Sequence, residues 1–187
     1  GWSDDGSKAL VFSTSVFVHV ASGERVWQTT QPVHRGTSIH AVGLNSARPW
    51  RHKCGGVRAA QLHWAANELA AGADGALRVV VLHHHLIAPP WRSSRKRPVA
   101  RRNHVLQTLV EAGAELILAG HVHQVAVSER REFEAVSGDV RGVVVSIAPG
   151  LGRPRPRRLG ESRGLHVYEA DPTQLTVSTY TWHDDDW

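Results

Sequence analysis

Two short stretches of this chain are apolar without interruption. Val79-Val80-Val81-Leu82, in a strand predicted at 78–82, and 116–119 (Leu-Ile-Leu-Ala) have the pattern of strands buried on both faces. Residues 38–46 read as a further short buried strand, and 9–20, rich in β-branched and aromatic residues, as one or two strands. Between 57 and 72 the spacing changes: Val57, Ala60, Leu62, Trp64, Ala65 and Leu69 fall near helical period before Gly72, which predicts a helix. A second helix is predicted at 104–115, feeding the strand at 116–119. From there only strands follow, at 123–129, 142–148, 164–170 and 174–182, separated by polar and Gly/Pro-rich turns. Alternating α and β segments followed by a β meander predict a layered α/β protein with helices on an outer face. At 187 residues the chain is long enough for one domain with a real core, and 1–187 is expected to be a single domain.

Both buried runs end in imidazoles. The first leads into His83, His84 and His85, the second through Gly120 into His121-Val122-His123. If the H-x-H segment is extended, His121 and His123 project to one side while Val122 turns inward. If the two strands are parallel neighbours, His83 emerges at the same carboxyl edge, where ligand sites of α/β sheets lie. Imidazole is the commonest side-chain metal ligand, so His83, His121 and His123 are a candidate metal site. Of the 13 histidines in the chain, His19, His34, His40, His52, His63, His104, His166 and His183 read as structural or solvated.

Composition narrows the field. Hydrophobic residues are 41% and charged residues 21%, ordinary for a globular protein. No run approaches the ~18–20 apolar residues of a membrane helix. The single cysteine, Cys54, gives no sign of an oxidising compartment, and the location is read as cytoplasmic. A net charge of +5, carried almost wholly by arginine, favours anionic partners without choosing among them.

The histidine segments also carry a resemblance. "LILAGHVHQ" resembles the closing Gly-His-x-His motif of calcineurin-like metallophosphoesterases. "VVVLHHHLIAPP" is similar to their strand-to-His-His motif, in the triple-histidine form of class III cyclic nucleotide phosphodiesterases. "GGVRAAQLHWAANEL" resembles the helix between these blocks, and "GLNSARP" sits where the family has a strand ending in Asp-Ser. The tail "VVVSIAPGLGRPRPRRLGESRGLHVYEA" resembles the final strands around an Arg-rich substrate-side loop. The ordered set spans roughly residues 36–182. It implies a layered αββα sandwich and hydrolysis of a phosphate monoester or diester. It also implies two divalent ions, Mn, Fe or Zn, with His83 and His121 on one and His123 on the other. His84 and His85 are the fallbacks for His83. Such ions lie ~3.5–4 Å apart and supply hydroxide at neutral pH.

The family's earlier motifs, Asp-x-His, Gly-Asp-x-x-Asp and Gly-Asn-His-Asp/Glu, do not occur in the chain. The sequence therefore looks like the C-terminal part of such an enzyme, with the sandwich incomplete on its N-terminal side. The expectation is that 1–187 alone is inactive and contains no identifiable catalytic residue beyond the metal ligands. Arg95 and Arg97, in the basic segment 92–102, are candidates to draw a small anionic phosphoester toward the ions. The bland reading of this run, and of 152–164, is a solvated loop. Nucleic acid is a less favoured partner: the runs bind phosphates without sequence preference, and no aromatic ladder or zinc-finger spacing accompanies them. An amidohydrolase also uses H-x-H, but early in a long barrel and with a downstream lysine, and no lysine follows Lys96.

Overall fold

The computed structural model describes residues 9–12, 38–47, 54–91, 97–130, 142–152, 154, 160–170 and 174–182. Its elements are β1 (Ala9–Phe12), β2 (Ile39–Leu44), α1 (Ala59–Ala70), β3 (Leu77–Leu82), α2 (Arg102–Glu111), β4 (Leu116–Ala119), β5 (Ala126–Arg130), β6 (Val143–Ile147), β7 (Gly164–Ala170) and β8 (Leu175–Thr181). One sheet has five strands in the order β2-β3-β4-β6-β5, and the other three in the order β1-β7-β8. The β2-β3, β3-β4 and β4-β6 pairs are parallel, and β5 closes the edge antiparallel to β6. Of the strand expected over 9–20, Ala9–Phe12 is found and 13–20 lie outside the described residues.

Why β3 and β4 read as continuous apolar runs follows from where their alternate side chains go. Val80, Leu82, Ile117 and Ala119 join Val42, Leu44, Val145 and Ile147 on the face covered by the helices. Val79, Leu116 and Leu118 face the other way, packing with Tyr168 and with Leu175 and Val177 of the second sheet. With period 2 along each strand, both faces of the central sheet need apolar side chains. The described chain is thus a mixed α/β sandwich of three layers: helices, a mostly parallel sheet, and an antiparallel sheet. The second helical layer of an αββα arrangement is not among the described residues.

The helices present narrow apolar stripes to this sheet. In α1 the buried residues are Leu62, Ala65 and Leu69; in α2 they are Val105, Leu106, Leu109 and Val110. Arg78 of β3 closes the end of α1, its Nε donating to Leu69 O (2.9 Å) and its Nη2 to Gly72 O (3.3 Å). Helix α2 begins two residues before the expected 104 and stops at Glu111. Its end is a Schellman turn: Gly113 N donates to Val110 O (2.9 Å) and Ala114 N to Leu109 O (2.9 Å), with Gly113 at φ 96°.

Between the sheets lies a polar triangle. Ser146 Oγ is 2.8 Å from His166 Nδ1 and 2.7 Å from Tyr168 Oη, and His166 Nδ1 is 3.1 Å from Tyr168 Oη. All three residues are buried, and His166 Nε2 has no hydrogen-bond partner among the described residues. Burial drops the His166 pKa to about 4 and raises that of Tyr168 to about 12.

Candidate metal centre

Register brings the histidines together. Val79, Val80 and Val81 pair with Leu116, Ile117 and Leu118, and Gly120 N donates to His83 O (3.1 Å). Both strands therefore release their histidines at the same carboxyl edge.

His83 Nε2 stands 3.0 Å from His121 Nδ1, so the two rings share a hydrogen bond. His84 turns toward the same point: its ring centroid is 4.4 Å from that of His121 and 4.9 Å from that of His83. One nitrogen from each of His83, His84 and His121 lies within 4.8 Å of the others. His83 is exposed, His121 half-buried and His84 buried. Such a set fits one divalent ion of the imidazole-binding type, because it offers three neutral nitrogen donors on two rigid strand ends.

The other predicted residues are not members of this three-residue group. His85 is buried and its ring stacks on His121 at 6.5 Å between centroids. The His123 ring lies against Gly150, where an added Cβ would come within 3.1 Å of its Cγ and Nδ1. His123 O accepts from Ser162 N at 3.0 Å. His123 is not in the three-residue group. Arg95 lies outside the described residues, while Arg97 is exposed and lines a cavity of 510 Å³ with Cys54, Arg101, Arg102 and His104.

The H-x-H segment is not extended, and strand β5 begins at Ala126 rather than 123. His121 and His123 have φ 69° and 58°; among the described non-glycine residues only Arg101 shares a positive φ. Such backbone holds roughly 1–3 kcal/mol of strain per residue. Histidine tolerates this region better than branched residues do. Val122 is buried as expected, but through a turn, with Val122 N donating to Gly120 O (2.8 Å).

Ser46, which lies just beyond β2, sets the orientation of His84. Its Oγ accepts from His84 N at 3.0 Å and is 3.0 Å from His84 Nδ1. A proton on Nδ1 donated to this oxygen leaves the Nε2 lone pair as the ligand atom. The Asn45-Ser46 segment is held by Gln61 of α1, whose amide, oriented to satisfy both its atoms, meets Asn45 N at 2.6 Å and Asn45 O at 3.2 Å. Beneath the ring is Gly55, which has room for no side chain: its Cβ would sit 2.6 Å from His84 Cβ and 2.7 Å from Nδ1. The role of Ser46 was not foreseen; its signal is a hydroxyl just past a neighbouring parallel strand.

Two outcomes follow. Ser46→Ala should weaken binding of a divalent ion ~10–100-fold with little change in fold, as loss of an outer partner does; isothermal titration with zinc or manganese measures it. Gly55→Ala should destabilise the protein by about 1–3 kcal/mol and displace His84, because overpacking forces backbone shifts. Urea unfolding reads the first effect, and a Gly55→Ala protein as stable as wild type would contradict it.

No family model matches the chain, and no curated protein matches it. Among solved structures, a structure of PhoD is similar at 15% identity and TM-score 0.42, over 69% of this chain and 33% of that one. A single mutant of Vps29 from Entamoeba histolytica is similar at 11% identity and TM-score 0.33, over 78% of this chain and 94% of that one. The chain spans about a third of the PhoD chain it matches.

Proposed function

We propose that this chain supplies the histidine half of a calcineurin-like metallophosphoesterase, whose whole domain hydrolyses a phosphate monoester or diester. The observation that carries the reading is the group His83, His84 and His121, with ligand nitrogens within 4.8 Å at the carboxyl edge of β3 and β4. The ordered motifs of the sequence support it independently. In this proposal His83, His84 and His121 hold one divalent ion, and His123, on the adjoining turn, serves a second. Bound divalent ions would polarise the phosphoryl oxygens and lower the pKa of water so that hydroxide is available near neutral pH.

The chain's own residues do the positioning. Ser46 and Gly55 fix the His84 ring, the tight turn at Gly120–Val122 fixes His121, and Gly150 and Ser162 fix His123. Rigid placement of this kind is what a preorganised site needs, since small misplacements of a ligand carry large penalties. No carboxylate belongs to the group. Two like charges a few ångströms apart repel strongly away from bulk water, so a partner segment bearing carboxylates would complete the pair.

The test has two parts on the 1–187 chain: calorimetric titration with manganese and zinc, and hydrolysis of bis(p-nitrophenyl) phosphate. Ion binding at neutral pH with slow or absent turnover is the expected result. Failure to bind either ion would overturn the metal reading. Tight, metal-independent nucleic-acid binding with a steep salt slope would favour the basic binding module instead.

A further inference from the structure

Trp91 is out of keeping with the rest of the surface. Its side chain is 55% exposed, the most exposed large hydrophobic among the described residues, yet its backbone is held on both sides by one buried side chain. Trp91 N donates to Gln124 Oε1 at 3.0 Å, and Gln124 Nε2 donates to Trp91 O at 3.1 Å. Gln124 is 4% exposed and directly follows His123. The indole also rests against bare backbone: a Cβ on Gly160 would lie 2.8 Å from its Cγ and 2.9 Å from its Nε1. Gly160 has φ 74°, so both its space and its conformation call for glycine.

The support of this ring is shared with the histidine turn. Two residues past Gly160, Ser162 N donates to His123 O at 3.0 Å, and Gly150, which lies against the His123 ring, donates from N to Ser162 O at 3.2 Å. Placing so large an apolar surface in water while pinning its backbone is unfavourable in the isolated chain. A rigid aromatic held in this way gains contact area on stacking at small entropic cost. In sequence, the basic run beginning at Arg92 follows Trp91 at once, and the chain carries a net charge of +5, which favours anionic ligands.

Resting on the phosphoesterase reading above, we infer that Trp91 is a specificity-determining residue that stacks on a planar aromatic or heteroaromatic ester group while the phosphate faces the histidines. The preferred esters then carry a ring at the phosphate, and aliphatic phosphoesters bind without this contribution.

The experiment titrates phenyl phosphate and glycerol 3-phosphate into the manganese-loaded 1–187 chain. Wild type is compared with Trp91→Leu, which keeps apolar packing on Gly160 but removes the π face, and with Trp91→Phe, which keeps a ring. Base–aromatic stacking energies correspond to about tenfold weaker phenyl phosphate binding in Trp91→Leu, with glycerol 3-phosphate changed less than about twofold and Trp91→Phe close to wild type. Equal losses for both esters would mean that the indole only anchors its loop, and no loss for either would mean that it touches no ligand; each overturns the inference while the phosphoesterase reading stands. If neither ester binds the manganese-loaded wild type, the inference is overturned, while the phosphoesterase reading stands or falls on ion binding.

Discussion

His121→Ala is expected to lower affinity for a divalent ion by more than the ~10–100-fold that follows loss of an outer partner. The change removes one of three imidazoles and leaves His83 Nε2 without the ring it now meets at 3.0 Å. Alanine would also have to adopt φ 69°. His121→Asn separates these effects, because asparagine enters the left-handed region readily but offers no imidazole. Isothermal titration with manganese or zinc should show the loss in both variants, with thermal unfolding of the Asn variant close to wild type. Unchanged ion affinity in His121→Asn would remove His121 from the centre.

The second large effect concerns pH. His166 is 0% exposed, its pKa is about 4 in the fold against 6.5 in the open chain, and the groups it meets are Ser146 Oγ and Tyr168 Oη. As pH falls, the unfolded chain takes up this proton first. The contribution is therefore intact above about pH 6.5 and is lost as pH falls toward 4, by about 3 kcal/mol in all and roughly 2 by pH 5. Urea unfolding at pH 7 and pH 5 should show a steeper loss in wild type than in His166→Asn, whose amide can still meet Ser146 but does not titrate. Equal losses in the two proteins would show that His166 is not responsible.

Much of the architecture is local in origin and was legible in sequence. Strands β3, β4, β6, β7 and β8 and both helices fall within a few residues of the predicted spans, because the period of apolar positions reports which face each element must bury. The carboxyl-edge placement of His83 and His121 was legible too, since a strand followed by a crossover helix and another strand favours parallel neighbours. What the pattern could not give is which side chain of a triplet turns inward. His84 joins His83 and His121 because Ser46, 38 residues away, holds its ring and amide, and because Gly55 leaves the ring its space. The direction of His123 escaped for a related reason. An extended H-x-H would carry both rings to one side, whereas the turn at positive φ sends the His123 ring to Gly150. The Ser146–His166–Tyr168 triangle joins strands of different sheets, and strand periodicity alone specifies no cross-sheet partner. Sequence by itself determined the elements, their faces and the sheet edge that carries the histidines. Tertiary structure alone decided which nitrogens converge, because contacts between residues distant in sequence depend on packing that local propensity does not encode.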